Sequence, residues 1–347
     1  MSPVALAQMA GALLRKPLRL LNWRHGADAA KRRPGLLVLA DRLGREPGRI
    51  RFLDNLAPPP PAPAMPDLER FGRAEAAAAW LGHATLLLRV GGKTILTDPV
   101  FSPRVGVGLV FATIGPKRRQ QPALSIAQLP KIDLILSSHA HFDHLDRPSL
   151  WQLARRFGRV PVVAAEGTSD LLHDLGFGEI QELKWEGALR LGDLSLSAIP
   201  VKHWGPRVFY DDWRGYNAYL LEATKRRSEG STKRPEGDVP PSAASTRILF
   251  GGDTAYTETF AGLGPLDLFA VGISAYDPFV AAHATPEQAW AMAQLAGAQR
   301  LAAMHHTTFR LSREPMDEPL RRLLNAAGAE ADRIVIRNVG DLWTAQK

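Results

Sequence analysis

The chain has 347 residues, with 45% hydrophobic and 22% charged residues, an ordinary composition for one large globular domain with an extension. It contains no cysteine, so disulfide bonds and thiolate zinc sites are excluded, and any metal must be bound by histidine and carboxylate. Residues 1–51 hold eleven Lys and Arg against three Asp and Glu, which accounts for the whole formal net charge of +8. The remaining chain is formally neutral, which argues against nucleic acid as a partner.

An amphipathic pattern runs through residues 5–24, where apolar side chains recur at close to helical spacing among basic ones. Pro17 interrupts the pattern and predicts two short helices. A basic amphipathic helix with a tryptophan, here Trp23, is typical of segments that lie in a membrane interface, and packing on its own domain is the alternative. No stretch predicts a transmembrane helix or a secretory signal peptide. We therefore expect a cytoplasmic protein, with peripheral membrane contact through residues 1–24 left open.

Composition divides the chain into three regions. Residues 1–56 form a basic, partly helical segment, and residues 57–73 are a proline-rich linker that we expect to act as a stiff spacer. Residues 74–347 form the predicted catalytic domain. Within it, residues 224–246 are polar and lack a hydrophobic period, which predicts a flexible surface insertion.

Strand and helix patterns alternate along the catalytic domain. An apolar run at 132–136 predicts a buried strand, 149–157 a helix, 160–165 a short buried strand and 168–175 a second helix. This alternation is the mark of an α/β layer fold. A further strand is predicted at 189–201. Residues 102–122, rich in Gly, Pro and basic side chains, predict a loop that borders the active site.

The densest chemical signal is the stretch that begins at Ser138 and contains His139, His141, Asp143 and His144. It follows a buried strand. Core packing does not explain three histidines and an aspartate within six positions, because each would need its own hydrogen-bond partner. Imidazole and carboxylate together suit zinc, iron or manganese. The stretch therefore predicts a metal site.

Further candidate ligands follow later strands, and they are His203, Asp253 and His305 or His306. Because strand ends on one sheet edge form a single cleft, we expect these side chains to meet the first cluster. One metal can take His139, His141 and His203, and the other can take Asp143, His144 and His305. Asp253 can bridge the two metals. Asp98, at the end of another strand, either orients a metal-bound histidine or forms a simple Asp-Pro turn.

The order of these motifs resembles the metallo-β-lactamase fold superfamily. The neighbouring stretches narrow the resemblance to the N-acylphosphatidylethanolamine-hydrolysing phospholipase D family, over about residues 74–325. They are Trp80-Leu-Gly-His-Ala-Thr, Leu96-Thr-Asp-Pro-Val-Phe-Ser, Gly115-Pro-Lys-Arg, Ser138-His-Ala-His-Phe-Asp-His-Leu-Asp, His203-Trp, Gly252-Asp-Thr-Ala-Tyr and Ala303-Met-His-His-Thr-Thr-Phe.

The resemblance implies a four-layer αβ/βα sandwich that binds two zinc ions and hydrolyses a phospholipid to N-acylethanolamine and phosphatidic acid. It implies that His305 is the metal ligand and that His306 occupies the position at which the family often has tryptophan. It marks Asp143 and His283 as catalytic candidates, and we place His83, Asp98 and His306 among the residues that support the ligands or contact substrate. Manganese or iron in place of zinc, and a homodimer, stay open.

Other functions remain alternatives at this stage. A metal-dependent lactonase, or a phosphoesterase for a small soluble substrate such as a sugar phosphate, also uses this fold. The segment 279–282, which precedes His283, is shorter than the corresponding segment of the animal enzymes. The sequence therefore does not predict the shape of an acyl-chain pocket. A redox di-iron protein is disfavoured, because a carboxylate is expected at the position of His141.

Overall fold

Two seven-stranded β-sheets form the centre of the fold, with helices packed against them. The computed structural model describes residues 52–56, 58–109, 112–208, 211–224 and 245–345. The arrangement confirms the predicted α/β class with two sheets.

The strands and helices have the following bounds. In spatial order, the first sheet contains β16 (Leu342–Thr344), β1 (Ala77–Gly82), β2 (Thr85–Val90), β3 (Lys93–Thr97), β6 (Leu134–Ser137), β7 (Val162–Ala165) and β8 (Ile180–Leu183). The second contains β15 (Ile334–Ile336), β14 (Leu301–Met304), β13 (Leu268–Gly272), β12 (Ser245–Phe250), β11 (Ala218–Thr224), β10 (Leu194–Ile199) and β9 (Ala188–Leu191). A separate hairpin contains β4 (Val107–Gly108) and β5 (Thr113–Ile114). Within the described residues, the α-helices are α1 (Leu68–Arg73), α2 (Arg147–Phe157), α3 (Pro286–Leu295) and α4 (Glu318–Ala327).

Strand β13 illustrates how the layers form, because its alternate side chains point to opposite faces. Leu268 and Ala270 lie in the core shared by both sheets, whereas Phe269 and Val271 pack in a second core with α3 and α4. Full burial of one such leucine or phenylalanine contributes about 1.5–3 kcal/mol to folding. A strand buried on both faces therefore joins the two cores.

The strand directions bring the predicted ligands to one edge. Strands β3, β6 and β7 are parallel neighbours, as are β12, β13 and β14. Parallel strands end at the same edge of a sheet, where α/β proteins place their sites. The loops that follow β6, β10, β12 and β14 carry the predicted ligands.

Local differences from the predicted elements have short-range causes. Residues 168–175 form two three-residue 3-10 turns rather than one helix. Residues 189–201 form the end of β9 and all of β10, because Gly192 turns the chain with φ of +67°. The start of α3 has the sequence-readable capping box, in which Gln288 N donates to Thr285 Oγ1 at 3.3 Å.

The proline-rich segment lies on the domain. Gln121 N donates to Pro60 O at 2.7 Å, and Gln121 Nε2 donates to Pro59 O at 2.9 Å. The predicted linker at 57–73 differs in its last part, where Asp67 caps helix α1. Prolines leave backbone carbonyls free as acceptors, which explains why the segment docks through them.

Two predicted regions lie outside the described residues. They are residues 1–51, which include the proposed membrane segment at 1–24, and residues 225–244 of the predicted insertion. Within the part of the chain that the structure describes, no helix has both the length and the apolarity to cross a membrane.

Candidate metal centre

The loop after β6 is fixed by hydrogen bonds to its backbone. Ser138 N donates to Asp98 Oδ1 at 2.6 Å, and Asn217 N donates to Ser138 O at 2.9 Å. Further along the loop, His144 N donates to His141 O at 3.0 Å and closes a turn. These contacts fix the backbone positions from which the histidine side chains project.

Arg207 holds the same loop from the other side. Its Nη1 donates to Ala140 O at 2.7 Å and to Leu145 O at 2.8 Å. Its guanidinium carbon lies 3.8 Å from the centre of the Phe142 ring, a cation–π contact. Since Arg207 follows His203 by four positions, it connects two segments that carry predicted ligands.

Three histidines form the first ligand group. His139 Nε2 lies 2.9 Å from His141 Nδ1, and His203 Nε2 lies 3.2 Å from the same atom. One ligand atom from each residue lies within 4.8 Å of the others. The structure therefore brings together the three residues that the sequence assigns to one metal.

Hydrogen bonds on the far side of each ring fix its tautomer. His139 Nδ1 lies 2.9 Å from Ser138 Oγ, which donates to Asp98 Oδ2 at 2.5 Å. His203 Nδ1 lies 3.0 Å from Ala282 O, which can only accept. Both histidines therefore carry their proton on Nδ1 and present the Nε2 lone pair to the cluster, as metal ligands do.

Four residues form the second group. His83 Nε2 lies 2.9 Å from Asp143 Oδ2, and the same oxygen lies 3.6 Å from His144 Nε2 and 3.5 Å from His305 Nε2. His144 Nδ1 lies 2.7 Å from Asp98 Oδ2, which fixes its tautomer. The structure thus adds His83 to the predicted set and places Asp98 behind His144.

Asp253 lies between the two groups. Its Oδ2 is 3.1 Å from both His144 Nε2 and His305 Nε2, 3.8 Å from His203 Nε2 and 3.7 Å from His283 Nδ1. This position suits the bridging role assigned from the sequence, and that role stays a prediction.

The backbone is strained at three residues of the cluster. His83, Asp98 and His305 have φ of +54°, +31° and +65°. Non-glycine residues rarely adopt positive φ, and surrounding contacts must hold them there. At His305 one such contact is visible, because its backbone N donates to His83 O at 3.0 Å. The fold therefore places these side chains at a cost in backbone strain.

Electrostatics separate the two groups. Burial lowers the pKa of His141 to about 3 and that of His203 to about 4, and it lowers the pKa of His139 well below its usual value. Burial opposes protonation of His305 as well, but the adjacent Asp253 and Asp143 carboxylates raise its pKa to about 9. The first group is therefore neutral without metal, whereas the second holds positive charge between carboxylates.

These residues fit bound divalent metals. The Nε2 atoms of His139 and His203 lie 2.9 and 3.2 Å from His141 Nδ1, and Asp253 Oδ1 is buried without a hydrogen-bond partner among the described residues. Facing nitrogen lone pairs in a buried site repel each other unless a proton or a cation lies between them. Imidazole and carboxylate donors in this number suit zinc, manganese or iron.

His283 lies at the open side of the cluster. The side chains of His283 and Asp143 are 11% and 16% exposed, whereas those of His203, His144 and His305 are fully buried. Burial holds the pKa of His283 well below its usual value, so the ring is neutral at pH 7. Both predicted catalytic residues therefore retain some exposure at the open side of the cluster.

His306 is outside the cluster. Its ring lies 4.7 Å from that of Trp80, centre to centre, and is buried. The sequence prediction did not include Trp204 among the site residues, although it noted the His203-Trp pair. The Trp204 ring stacks on that of His203, with 4.6 Å between ring centres. No sequence signal identified Arg207, because its partners lie more than sixty positions away.

Metal binding to the second group is expected to release protons at pH 7.5. The folded-state pKa of His305 is raised above its ordinary value, so this ring holds a proton that a metal must displace. The first group is already neutral at that pH and releases none. Calorimetric titration of metal-free protein in buffers of different ionisation enthalpy measures the protons released. Release of no protons over the whole titration would contradict this charge assignment.

The Asp98→Asn variant is expected to bind metal about 10- to 100-fold more weakly. An amide in place of the carboxylate can present N–H groups toward His144 Nδ1, which favours the wrong tautomer. Competition with a chelator measures the affinity. Asp133→Asn is the matched control, because Asp133 accepts a backbone hydrogen bond from Thr94 and lies outside the cluster. Equal affinity in both variants would rule out this role.

Comparisons with known proteins agree with this geometry. Residues 93–306 match the model of the β-lactamase superfamily domain. An uncharacterized protein of Mycobacterium tuberculosis is 32% identical over 285 residues, covering 79% of this chain and 70% of that protein. N-acyl-phosphatidylethanolamine-hydrolyzing phospholipase D 1 of Caenorhabditis elegans is 27% identical, covering 77% of this chain and 75% of that protein.

Solved structures show the same fold at low sequence identity. A metallo hydrolase from the archaeon Ignicoccus hospitalis superposes with a TM-score of 0.53 at 17% identity, covering 78% of this chain and 99% of that one. With the family match over residues 93–306, the two sheets and the strand-end cluster, the chain belongs to the β-lactamase superfamily and has the metallo-β-lactamase fold of metal-dependent hydrolases.

Proposed function

We propose that this protein is a dinuclear metal-dependent phosphodiesterase of the phospholipase D type, which hydrolyses N-acylphosphatidylethanolamine to N-acylethanolamine and phosphatidic acid. The observation that carries the proposal is the pair of ligand groups on either side of Asp253, within 3.8 Å of His203 and 3.1 Å of His144. The Caenorhabditis elegans relative, which bears that activity in its name, supports the substrate.

Divalent metals bound to the two groups would supply Lewis acidity toward phosphoryl oxygens and lower the pKa of water. The protein residues do the positioning. Asp143 is held by His83 at 2.9 Å, and its partly exposed carboxylate can accept a hydrogen bond from water and orient it at the open side. Asp253 fixes the spacing between the groups.

His283 acts on the substrate as a neutral ring. Its lowered pKa means that it does not bring an additional proton at pH 7, so it donates its ring N–H or accepts a hydrogen bond. With Trp204 at 5.7 Å between ring centres, it forms a wall beside the metal ligands. We assign it to positioning of the phosphodiester.

The direct test offers the purified protein three substrates. These are N-acylphosphatidylethanolamine in mixed micelles, a small soluble phosphodiester and a lactone, each with product identification. The proposal predicts N-acylethanolamine and phosphatidic acid from the lipid, and loss of both in Asp143→Asn. Turnover of only the lactone or the soluble ester would assign the same site to the alternative hydrolase. Turnover unaffected by Asp143→Asn would place the chemistry elsewhere.

A further inference from the structure

Exposed apolar side chains concentrate at one place on the surface. Eight large apolar side chains are exposed among the described residues, and four belong to the 3-10 turn Phe52–Asn55, its next residue and the β4–β5 hairpin. They are Leu53, Leu56, Leu109 and Ile114, with exposed fractions of 47%, 63%, 42% and 48%. We call these four residues the apolar rim. Scattered single apolar residues are normal on a surface, but a group of this kind marks an interaction site.

The two elements of the apolar rim are fastened together. Asp54 Oδ1 accepts a hydrogen bond from Thr113 N at 3.1 Å and lies 3.7 Å from Arg104 Nε. Asp54 is thus the link between the turn and the hairpin, and its side chain is 5% exposed. The four apolar side chains therefore belong to one surface.

Two glycines close the base of the hairpin. Gly106 and Gly115 have φ of +135° and +153°. A Cβ at Gly106 would lie 2.2 Å from Ile114 O, and one at Gly115 would lie 2.0 Å from Val105 O. Only glycine permits this close crossing, so the direction of the hairpin is fixed.

The hairpin stands beside the candidate metal centre. Val105 at its base is in one apolar cluster with Phe309, and Phe142 packs against this cluster. Phe142 lies between the ligands His141 and Asp143 in sequence, and the Phe309 ring lies 5.1 Å from that of His83. The apolar rim is therefore connected through one layer of side chains to the metal ligands.

Positive charge accompanies the apolar rim. Lys117 and Arg119, just after the hairpin, are exposed. In sequence, residues 1–51 lead directly into the turn at Phe52 and contain eleven Lys and Arg against three Asp and Glu. Basic groups next to exposed apolar side chains match the negative surface and the apolar interior of an anionic bilayer.

We propose that the apolar rim inserts into the surface of an anionic phospholipid bilayer and holds the open side of the metal centre against it. The proposal of membrane docking is supported by the apolar rim and the basic residues beside it. Only the role of this docking in delivering a lipid substrate rests on the proposed function. The assignment differs from the membrane segment predicted at residues 1–24, because it uses a surface of the catalytic domain.

The test is co-sedimentation of the full chain with phosphatidylcholine vesicles, with and without phosphatidylserine and without any N-acyl lipid. We expect binding to the anionic vesicles that weakens with salt, and at least about tenfold weaker binding in the double variant Leu109→Glu/Ile114→Glu. Leu295→Glu is the matched control, because Leu295 is 37% exposed and lies at the end of α3. It should bind like the unaltered protein.

Two further measurements separate the outcomes. Thermal unfolding and metal content of the double variant should equal those of the control, which excludes misfolding. Light scattering should show one unchanged mass, since a change in mass with unchanged vesicle binding would assign the rim to contact with a second copy. Unchanged vesicle binding in the double variant overturns the proposal. Failure of the proposed function would appear instead as absent lipid hydrolysis by protein that still binds vesicles.

Discussion

Replacing Asp253 by asparagine is expected to lower hydrolysis by about 10²- to 10³-fold, the usual cost of removing one preorganised electrostatic group. Asp253 Oδ2 lies 3.1 Å from both His144 and His305, and the carboxylate holds a pKa well below its usual value because these histidines outweigh its burial. An amide removes the negative charge that both ligand groups share. The metal content per chain should therefore fall together with activity.

The matched control for this variant is Asp267→Asn. Asp267 accepts a hydrogen bond from Arg247 N at 2.7 Å in the same sheet, beside the start of β13, and lies outside the metal centre. Elemental analysis and initial rates on both variants measure the effect. Wild-type metal content and rate in Asp253→Asn would show that this carboxylate does not connect the two groups.

The second large effect is expected from Arg207→Ala. The change leaves Ala140 O and Leu145 O without their buried donor, and each buried unpaired group costs about 1–3 kcal/mol. It also removes a positive charge that acts on the buried Asp146. Burial raises the pKa of Asp146, and hydrogen bonds from Ser102 and Ser149, together with Arg207, lower it. We expect the free energy of unfolding to fall by roughly 2–5 kcal/mol.

If Arg207 has a purely structural role, its replacement lowers only the stability. If it also positions the ligand loop, its replacement weakens metal binding as well, so the metal affinity distinguishes the two roles. Because Ala140 and Leu145 bracket the ligand loop, we expect weaker metal binding at temperatures where the variant is folded. Arg207→Lys keeps the charge but loses the planar group over Phe142, so it should restore part of both quantities. Arg247→Ala, which breaks the partly exposed ion pair with Glu222, is the control. Unchanged metal affinity in Arg207→Ala would reduce Arg207 to a packing residue.

A candidate ligand set can be predicted from the sequence because metal chemistry restricts the residue types and because these residues follow the ends of strands. Histidines and aspartates at 139–144 follow the buried β6, and Asp253 and His305 follow β12 and β14 in the same way. Parallel pairing then places them together. Spacing alone left Asp98 undecided between a turn and a support, and the 2.7 Å contact between Asp98 Oδ2 and His144 Nδ1 favours the support.

The parts that sequence did not identify depend on long-range contacts. In the sequence, nothing distinguishes Arg207 from other arginines in loops. Its role becomes visible only in the structure, where it contacts Ala140 O and Leu145 O, which are distant in sequence. His83 was named as a supporting candidate, but its 2.9 Å contact with Asp143 was not predicted, because it joins positions sixty residues apart. The proline-rich segment reads as a spacer because its composition does not show that Gln121 binds its carbonyls.

The central claim is that one centre with two metals carries out the hydrolysis, and metal reconstitution tests it most directly. Metal-free protein is titrated with zinc while N-acylethanolamine release from N-acylphosphatidylethanolamine micelles is followed at each addition. We predict negligible release without metal and a rate that reaches its plateau at two equivalents per chain, since the ligands form two groups around Asp253. A plateau at one equivalent, or hydrolysis that survives complete removal of metal, would contradict the account.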